Sequence, residues 1–238
     1  MVTSTTSVMA EARVDPLYRL LAWLSPAYPV GAFSYSHGVE TAVEEGFIKD
    51  RATLVAWLES VLERGTGLVD GALFAAAWRV VEGADWAAFD AIAERAAAWR
   101  GTSEMALESR QQGGSFLSIT RTAWPHPALD AGHERTGGEL ALPVAVALAA
   151  AAHGIALESA LGGYLHAFAA NLISAAVRTV PLGQTDGQRA LAALEPAVRR
   201  TAEAAMAAVS LDDIGTATPL LDWCSLRHET QYTRLFRS

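Results

Sequence analysis

The sequence predicts an all-α protein: a single-domain helical bundle of about eight to ten helices with short polar tails. Three observations lead there. The hydrophobic content, 51% of 238 residues, is dominated by alanine, the strongest helix former. Val, Ile, Thr and Tyr never gather into the alternating runs that mark strands. Apolar positions instead recur every three or four residues, in segments that open at capping residues and close at glycine or proline. With only 18% of residues charged, the chain can bury a large core, and no linker divides it.

Residues 1–14, MVTSTTSVMAEARV, read as a loose polar tail without the basic and apolar regions of a secretion signal. Residues 15–238 form the domain. Asp15-Pro16 supplies a cap and a first-turn proline, and Leu17, Leu20, Leu21 and Leu24 follow at helical spacing until Ser25-Pro26 stops them. The block SPAYPVGAFSYSHGVE, residues 25–40, then turns the chain, with Ser34 or Ser36 placed to cap a second helix that stops at Gly46. Asp50 caps a third helix, whose stripe of Leu54, Trp57, Leu58, Val61 and Leu62 is closed by Gly65 and Gly67. Segments 68–82 and 86–100 repeat the pattern, with Gly83 as the break, Asp85 as the next cap and Gly101 as the stop.

Residues 103–123 read as a helix carrying Gly113-Gly114 in its middle. Either it breaks there or another backbone comes very close. Trp124-Pro125-His126-Pro127 ends it, and the polar stretch 130–138 is expected to be a long loop. Pro143 opens an alanine-rich helix to His153-Gly154. Residues 157–179 form another, in which Gly162-Gly163 permits close packing within the chain or across a dimer. Asp186 caps a last long helix reaching residue 210, with Pro196 placed to kink it. Thr218-Pro219 starts a short apolar turn before the polar end SLRHETQYTRLFRS.

Net charge of −8 and a pI near 5.2 argue against a nucleic-acid partner, because no basic surplus is available to neutralise phosphates. Arg95, Arg100, Arg110 and Arg121 are too scattered to line one groove-facing strip, which weighs against a helical dimeric regulator. Lys49 is the single lysine, so no Gly-Lys-Ser/Thr phosphate loop exists. Cys224 is the single cysteine, which rules out an intrachain disulfide and fits a reducing, cytoplasmic setting. The longest apolar run, 140–152, is too short to span a membrane. His37, His126, His133, His153, His166 and His228 form no Glu-x-x-His pair, so no metal site and no stably bound cofactor are expected.

Ser34, Tyr35, Ser36, His37 and Glu40 have the residue types of an enzyme loop but lack a preceding strand and the Gly-x-Ser-x-Gly spacing. We therefore expect no catalytic residue, with an all-helical enzyme using this block as the alternative. At the chain end, Arg227, His228, Glu229, Gln231, Tyr232, Arg234, Leu235, Phe236 and Arg237 bring together the side-chain types enriched at protein-protein hot spots. Such a tail either binds another protein or docks on its own domain.

Four blocks carry a resemblance: LLAWLSPAYPVGAFSYSHGVETAVEEG (20–46), SEMALESRQQGGSFL (103–117), AAVRTVPLGQTDGQRAL (175–191) and RHETQYTRLFRS (227–238). In this order they resemble the UreF family of urease accessory proteins. The resemblance implies an all-helical, non-enzymatic homodimer that works in assembly of the urease nickel centre. Proteins of this family bind UreD, called UreH in some organisms, and together they recruit the GTPase UreG to apo-urease. Nickel is then handled by the complex in a step coupled to GTP hydrolysis. By position, Arg227 to Ser238 match the segment that docks into UreD and becomes ordered on binding. Pro181, Leu182, Gly183 and Gln184, with Gln188, match the region near the dimer contact. Ser34, Tyr35, Ser36, His37 and Glu40 lie on the side facing UreG. One departure is Met105-Ala106-Leu107, where the family usually carries a threonine, an arginine and an acidic residue.

Overall fold

Local capping chemistry sets most helix starts in the computed structural model, which describes residues 16–238. The expected polar tail 1–14 and the Asp15 cap lie outside the described residues. Along the chain run α1 (Pro16–Trp23), α2 (Val39–Glu44), α3 (Arg51–Arg64), α4 (Thr66–Glu82), α5 (Trp86–Ala98), α6 (Ser103–Ala123), α7 (Pro127–Thr136), α8 (Leu142–Ala152), α9 (Leu157–Thr179), α10 (Gln184–Ala207) and α11 (Pro219–His228). All but α2 have eight residues or more, and no strand occurs among the described residues. Asp50 and Thr53 form a reciprocal capping box at α3, with the Thr53 N–H donating to Asp50 Oδ1 at 2.8 Å. Asp85 Oδ1 accepts the Ala88 N–H at 3.0 Å and starts α5.

The centre is α8, buried from Pro143 to Ala150 on every side, as a helix without a polar face must be. It packs chiefly on α4 and α6, with α7 and α9 beside it, while α10 lies across α3, α4 and α9. Helix α6 does not break at its glycine pair. A Cβ at Gly113 would lie 2.0 Å from the Leu140 carbonyl oxygen and 2.7 Å from the Leu142 nitrogen. The chain leading into α8 therefore runs against α6 where no side chain fits. At the second pair, Gly163 receives the Leu24 side chain and Gly162 faces open space, so the packing seen there is within the chain.

Four local expectations are corrected. Residues 130–138 are not a loop: α7 starts at Pro127, where His126 Nδ1 accepts the Ala128 N–H at 3.2 Å, and ends at Gly137 with φ 64°. Its polar sequence hid it, because only Leu129 and Gly132 are buried. Helix α2 has Gly38 at its N-cap rather than a serine, although Ser36 Oγ still accepts the Glu40 N–H at 3.3 Å. Helix α10 starts at Gln184 with Asp186 in its first turn, and it continues through Pro196, which is exposed. The expected turn after Thr218 is a ten-residue helix, α11, that reaches His228.

Helix α9 has the length and apolar composition of a membrane span, and half of that stretch is buried against other helices.

Candidate functional site

The C-terminal segment and the serine-histidine block, far apart in sequence, form one structure. Ser36, His37 and Glu40 approach from the α2 side, Glu104 and Glu108 from one face of α6, and His228 from the last turn of α11. Glutamates four residues apart on a helix share a face. Here both carboxylates reach the segment after α11.

Glu40 is the principal seat. Its side chain is only 10% exposed, and its two oxygens accept the backbone N–H groups of Leu235 at 2.7 Å and Phe236 at 3.0 Å. Backbone donors on a buried carboxylate are charge-assisted and stronger than neutral bonds. Beside it, His228 is fully buried between Glu40 Oε2 at 3.1 Å and Glu104 Oε2 at 2.7 Å. The imidazole donates to both carboxylates only with hydrogen on both ring nitrogens. Arg234 completes the group by donating to Glu104 Oε1 at 2.9 Å.

The chain end is held as firmly. The Arg237 N–H donates to the Ser34 carbonyl at 2.8 Å, and the Ser36 N–H donates to the Ser238 carbonyl at 3.0 Å. The Ser36 hydroxyl donates to the same carbonyl. Ser238 Oγ donates to Glu108 Oε2 at 2.9 Å and receives the His37 N–H at 3.3 Å. His37 in turn sets Nδ1 3.2 Å from Glu108 and Nε2 2.9 Å from Thr66 Oγ1. It does so from a left-handed backbone, φ 55°, that non-glycine residues seldom adopt. Burial pushes the Glu108 carboxyl up, but His37, Ser238 and Arg100 outweigh burial and hold it below its ordinary range.

The last four residues alternate as an extended chain does. Phe236 and Ser238 point in and are buried, with the Arg178 guanidinium 4.3 Å over the Phe236 ring, while Leu235 and Arg237 point out. Tyr232 is fully exposed, Leu235 is 61% exposed and Phe33 beside the seat is 69% exposed. Gln231 receives the Thr41 hydroxyl at 2.9 Å, and Glu229 receives that of Ser103. Arg227 lies 3.7 Å from Glu45. The result is a closed clasp with a fixed inner side and an open outer side.

Of the residues expected to face a partner from the block, Tyr35, Ser36, His37 and Glu40 are buried and Ser34 is half-buried. That block is the seat of the clasp, and most of it lies under the tail. The Tyr35 hydroxyl is spent on the Gln111 side chain. Pro181, Gly183, Gln184 and Gln188 stand exposed at the α9–α10 junction, with Leu182 half-buried among them. Glu104, Glu108 and Arg178 were not singled out from sequence. The four-residue spacing of the two glutamates was the available signal, and nothing local marked their partner. Among the described residues no group of three or more His, Cys, Asp or Glu side chains is arranged to hold a metal ion.

A family model described as UreF matches residues 48–195. The chain is 51% identical over 222 residues to a protein of Granulibacter bethesdensis, covering 93% of this chain and 94% of that one. It is 52% identical over 236 residues to one of Rhodopseudomonas palustris strain BisB5, covering 99% and 96%. With a protein of Bradyrhizobium diazoefficiens it shares 49% over 230 residues, covering 97% and 95%. Each of these relatives is described as "Urease accessory protein UreF".

Proposed function

This chain belongs to the UreF family of urease accessory proteins, not to an enzyme family, and on that premise we propose that it is an adaptor. It joins UreD and the GTPase UreG on apo-urease during GTP-dependent assembly of the nickel centre, as a homodimer in the cytoplasm. Nickel is the cargo of the complex and is not stably held by this chain.

The observation that supports this reading is the two-sided tail. Its inner groups are used up on Glu40, Glu104 and Glu108, while Tyr232, Leu235 and Arg237 stand free on a rigid base. Amphipathic aromatic, apolar and arginine side chains held without further ordering cost suit a protein contact. We assign that outer face to UreD. UreG approaches the rim of the seat, at Phe33 and Ser34, since the rest of the block lies under the tail. The exposed junction of Pro181, Leu182, Gly183, Gln184 and Gln188 is assigned to the second protomer.

Co-expression of the full chain with UreD and UreG tests the adaptor role. A complex containing all three, and urease activation that needs GTP and this chain, is expected. Equal activation without this chain contradicts it.

A further inference from the structure

His228 is the joint of the clasp. Its ring is fully buried, with Nδ1 2.7 Å from Glu104 Oε2 and Nε2 3.1 Å from Glu40 Oε2. A carboxylate oxygen accepts and does not donate, so both contacts are hydrogen bonds only when the ring carries a proton on each nitrogen. Charge leads to the same state. Glu40 comes from α2 and Glu104 from α6, and the tail adds Arg234, 2.9 Å from the other Glu104 oxygen. Two carboxylates, one guanidinium and one imidazolium sum to zero, whereas a neutral ring leaves a buried negative charge without compensation.

The surrounding ionisable groups are engaged elsewhere. On α11 itself, Arg227 lies 3.7 Å from Glu45, and the Cys224 thiol, pushed up to about 12 by burial and by Glu45, is neutral. His37 and Glu108 pair with each other at 3.2 Å and hold Ser238, and Glu229 accepts from Ser103. The proton on His228 therefore sets the charge of the cluster. Its loss turns one of the two contacts into a ring lone pair against a carboxylate oxygen, so Glu40 and Glu104 cannot both keep their places. Glu40 also accepts the Leu235 and Phe236 N–H groups and Glu104 holds Arg234, so displacement of either releases part of the tail.

We propose that His228 is a proton-operated latch: protonated, it closes the tail over its seat, and loss of that proton as pH rises opens it. The closed tail holds one proton more than the open tail once pH passes the ordinary histidine range, so the opening constant rises by up to about tenfold per pH unit. The outer face with Tyr232 and Leu235 is held in place only while the latch is shut, whichever protein docks on it.

The full chain, alone in solution and carrying isotope-labelled histidine, tests this by NMR between about pH 6 and about pH 9. Both His228 ring nitrogens are expected to be protonated while the tail is closed. The protection factors of the Leu235 and Phe236 amides, corrected for the intrinsic pH dependence of exchange, are expected to fall together as that proton is lost. Glu104→Gln discriminates most sharply. Its amide oxygen can keep Arg234 while its amide N–H donates to a neutral Nδ1, so this variant is expected to stay closed at about pH 9. His228→Gln has no proton to lose and is expected to give weaker, pH-independent protection; it carries the test if Glu104→Gln does not fold. A single neutral tautomer in the closed tail overturns the proposal. So does pH-independent protection in the parent chain, or the parent's pH dependence persisting in either folded variant.

Discussion

Glu40 and Phe236 lie 196 positions apart, yet the Phe236 N–H donates to Glu40 Oε2 at 3.0 Å. The neighbouring Leu235 N–H takes the other oxygen at 2.7 Å. One buried carboxylate therefore fixes the path of the tail, and its removal is the simplest way to open the clasp.

Glu40→Ala leaves those two amides and His228 facing a void. Losing a buried charged acceptor costs about 3 kcal/mol, which for a chain of this size lowers Tm by about 6–12 °C. Hydrogen exchange at Leu235 and Phe236 should rise together with that loss. A variant with unchanged Tm and still-protected amides contradicts the role given to Glu40.

Close packing sets a graded series at the helical glycines. Gly113→Ala drives a methyl into the Leu140 carbonyl and is expected to cost more than about 3 kcal/mol or prevent folding. Gly114→Ala, with its nearest contact 3.2 Å away at the Gly138 carbonyl, should cost less. Gly162→Ala meets nothing within 4 Å and should stabilise by about 0.5–1 kcal/mol. Urea midpoints of the three variants give the order directly.

Acid sensitivity has two separate windows. Burial, and then the Arg19 charge, push the His153 pKa down to about 4 from an ordinary 6.5. His153 Nδ1 lies 2.7 Å from Arg19 Nη1 and its Nε2 faces the Trp124 carbonyl at 3.1 Å, an arrangement that suits the neutral ring. The unfolded chain takes up this proton first, so stability falls as pH drops from 6.5 toward 4. Glu108 acts lower. Its depressed pKa gives stability that is present above 4.5 and lost as pH falls below that value through the folded pKa. Denaturation curves at stepped pH should show a weaker slope between 6.5 and 4 in His153→Gln than in the parent chain.

Cys224 is buried in α11, and burial together with Glu45 pushes its thiol up to about 12. The thiolate is the reactive form, so maleimide labelling at pH 7.5 should be limited by unfolding, with the logarithm of its rate rising linearly with added denaturant. Fast labelling without denaturant contradicts the burial of Cys224.

The helices were legible where their determinants are local. Asp50 and Asp85 cap what their sequence context says they cap, and Gly65 and Gly83 stop what they should stop. Helix α7 was missed because it buries little apolar surface; Arg121 to Asp130 and Arg135 to Asp90 bridges tie it across to α6 and α5. The glycine pair of α6 was readable only as a choice between a break and a close approach, since the backbone that settles it comes from residues 140–142. The tail stood out in the sequence by its Tyr, Phe and Arg content. Its seat did not, because Glu104 and Glu108 meet Arg234 and Ser238 across 130 positions, and no local pattern encodes such a pairing.

The proposed docking of UreD on the outer face of the closed clasp is open to a direct test. The most direct measurement is the amount of UreD retained by the full chain carrying Tyr232→Ala and Leu235→Glu, two exposed side chains whose loss leaves the seat intact. We predict at least about a tenfold loss of retained UreD with Tm unchanged, as expected when hot-spot side chains are removed from a folded surface. Full retention by the folded double variant would contradict the account.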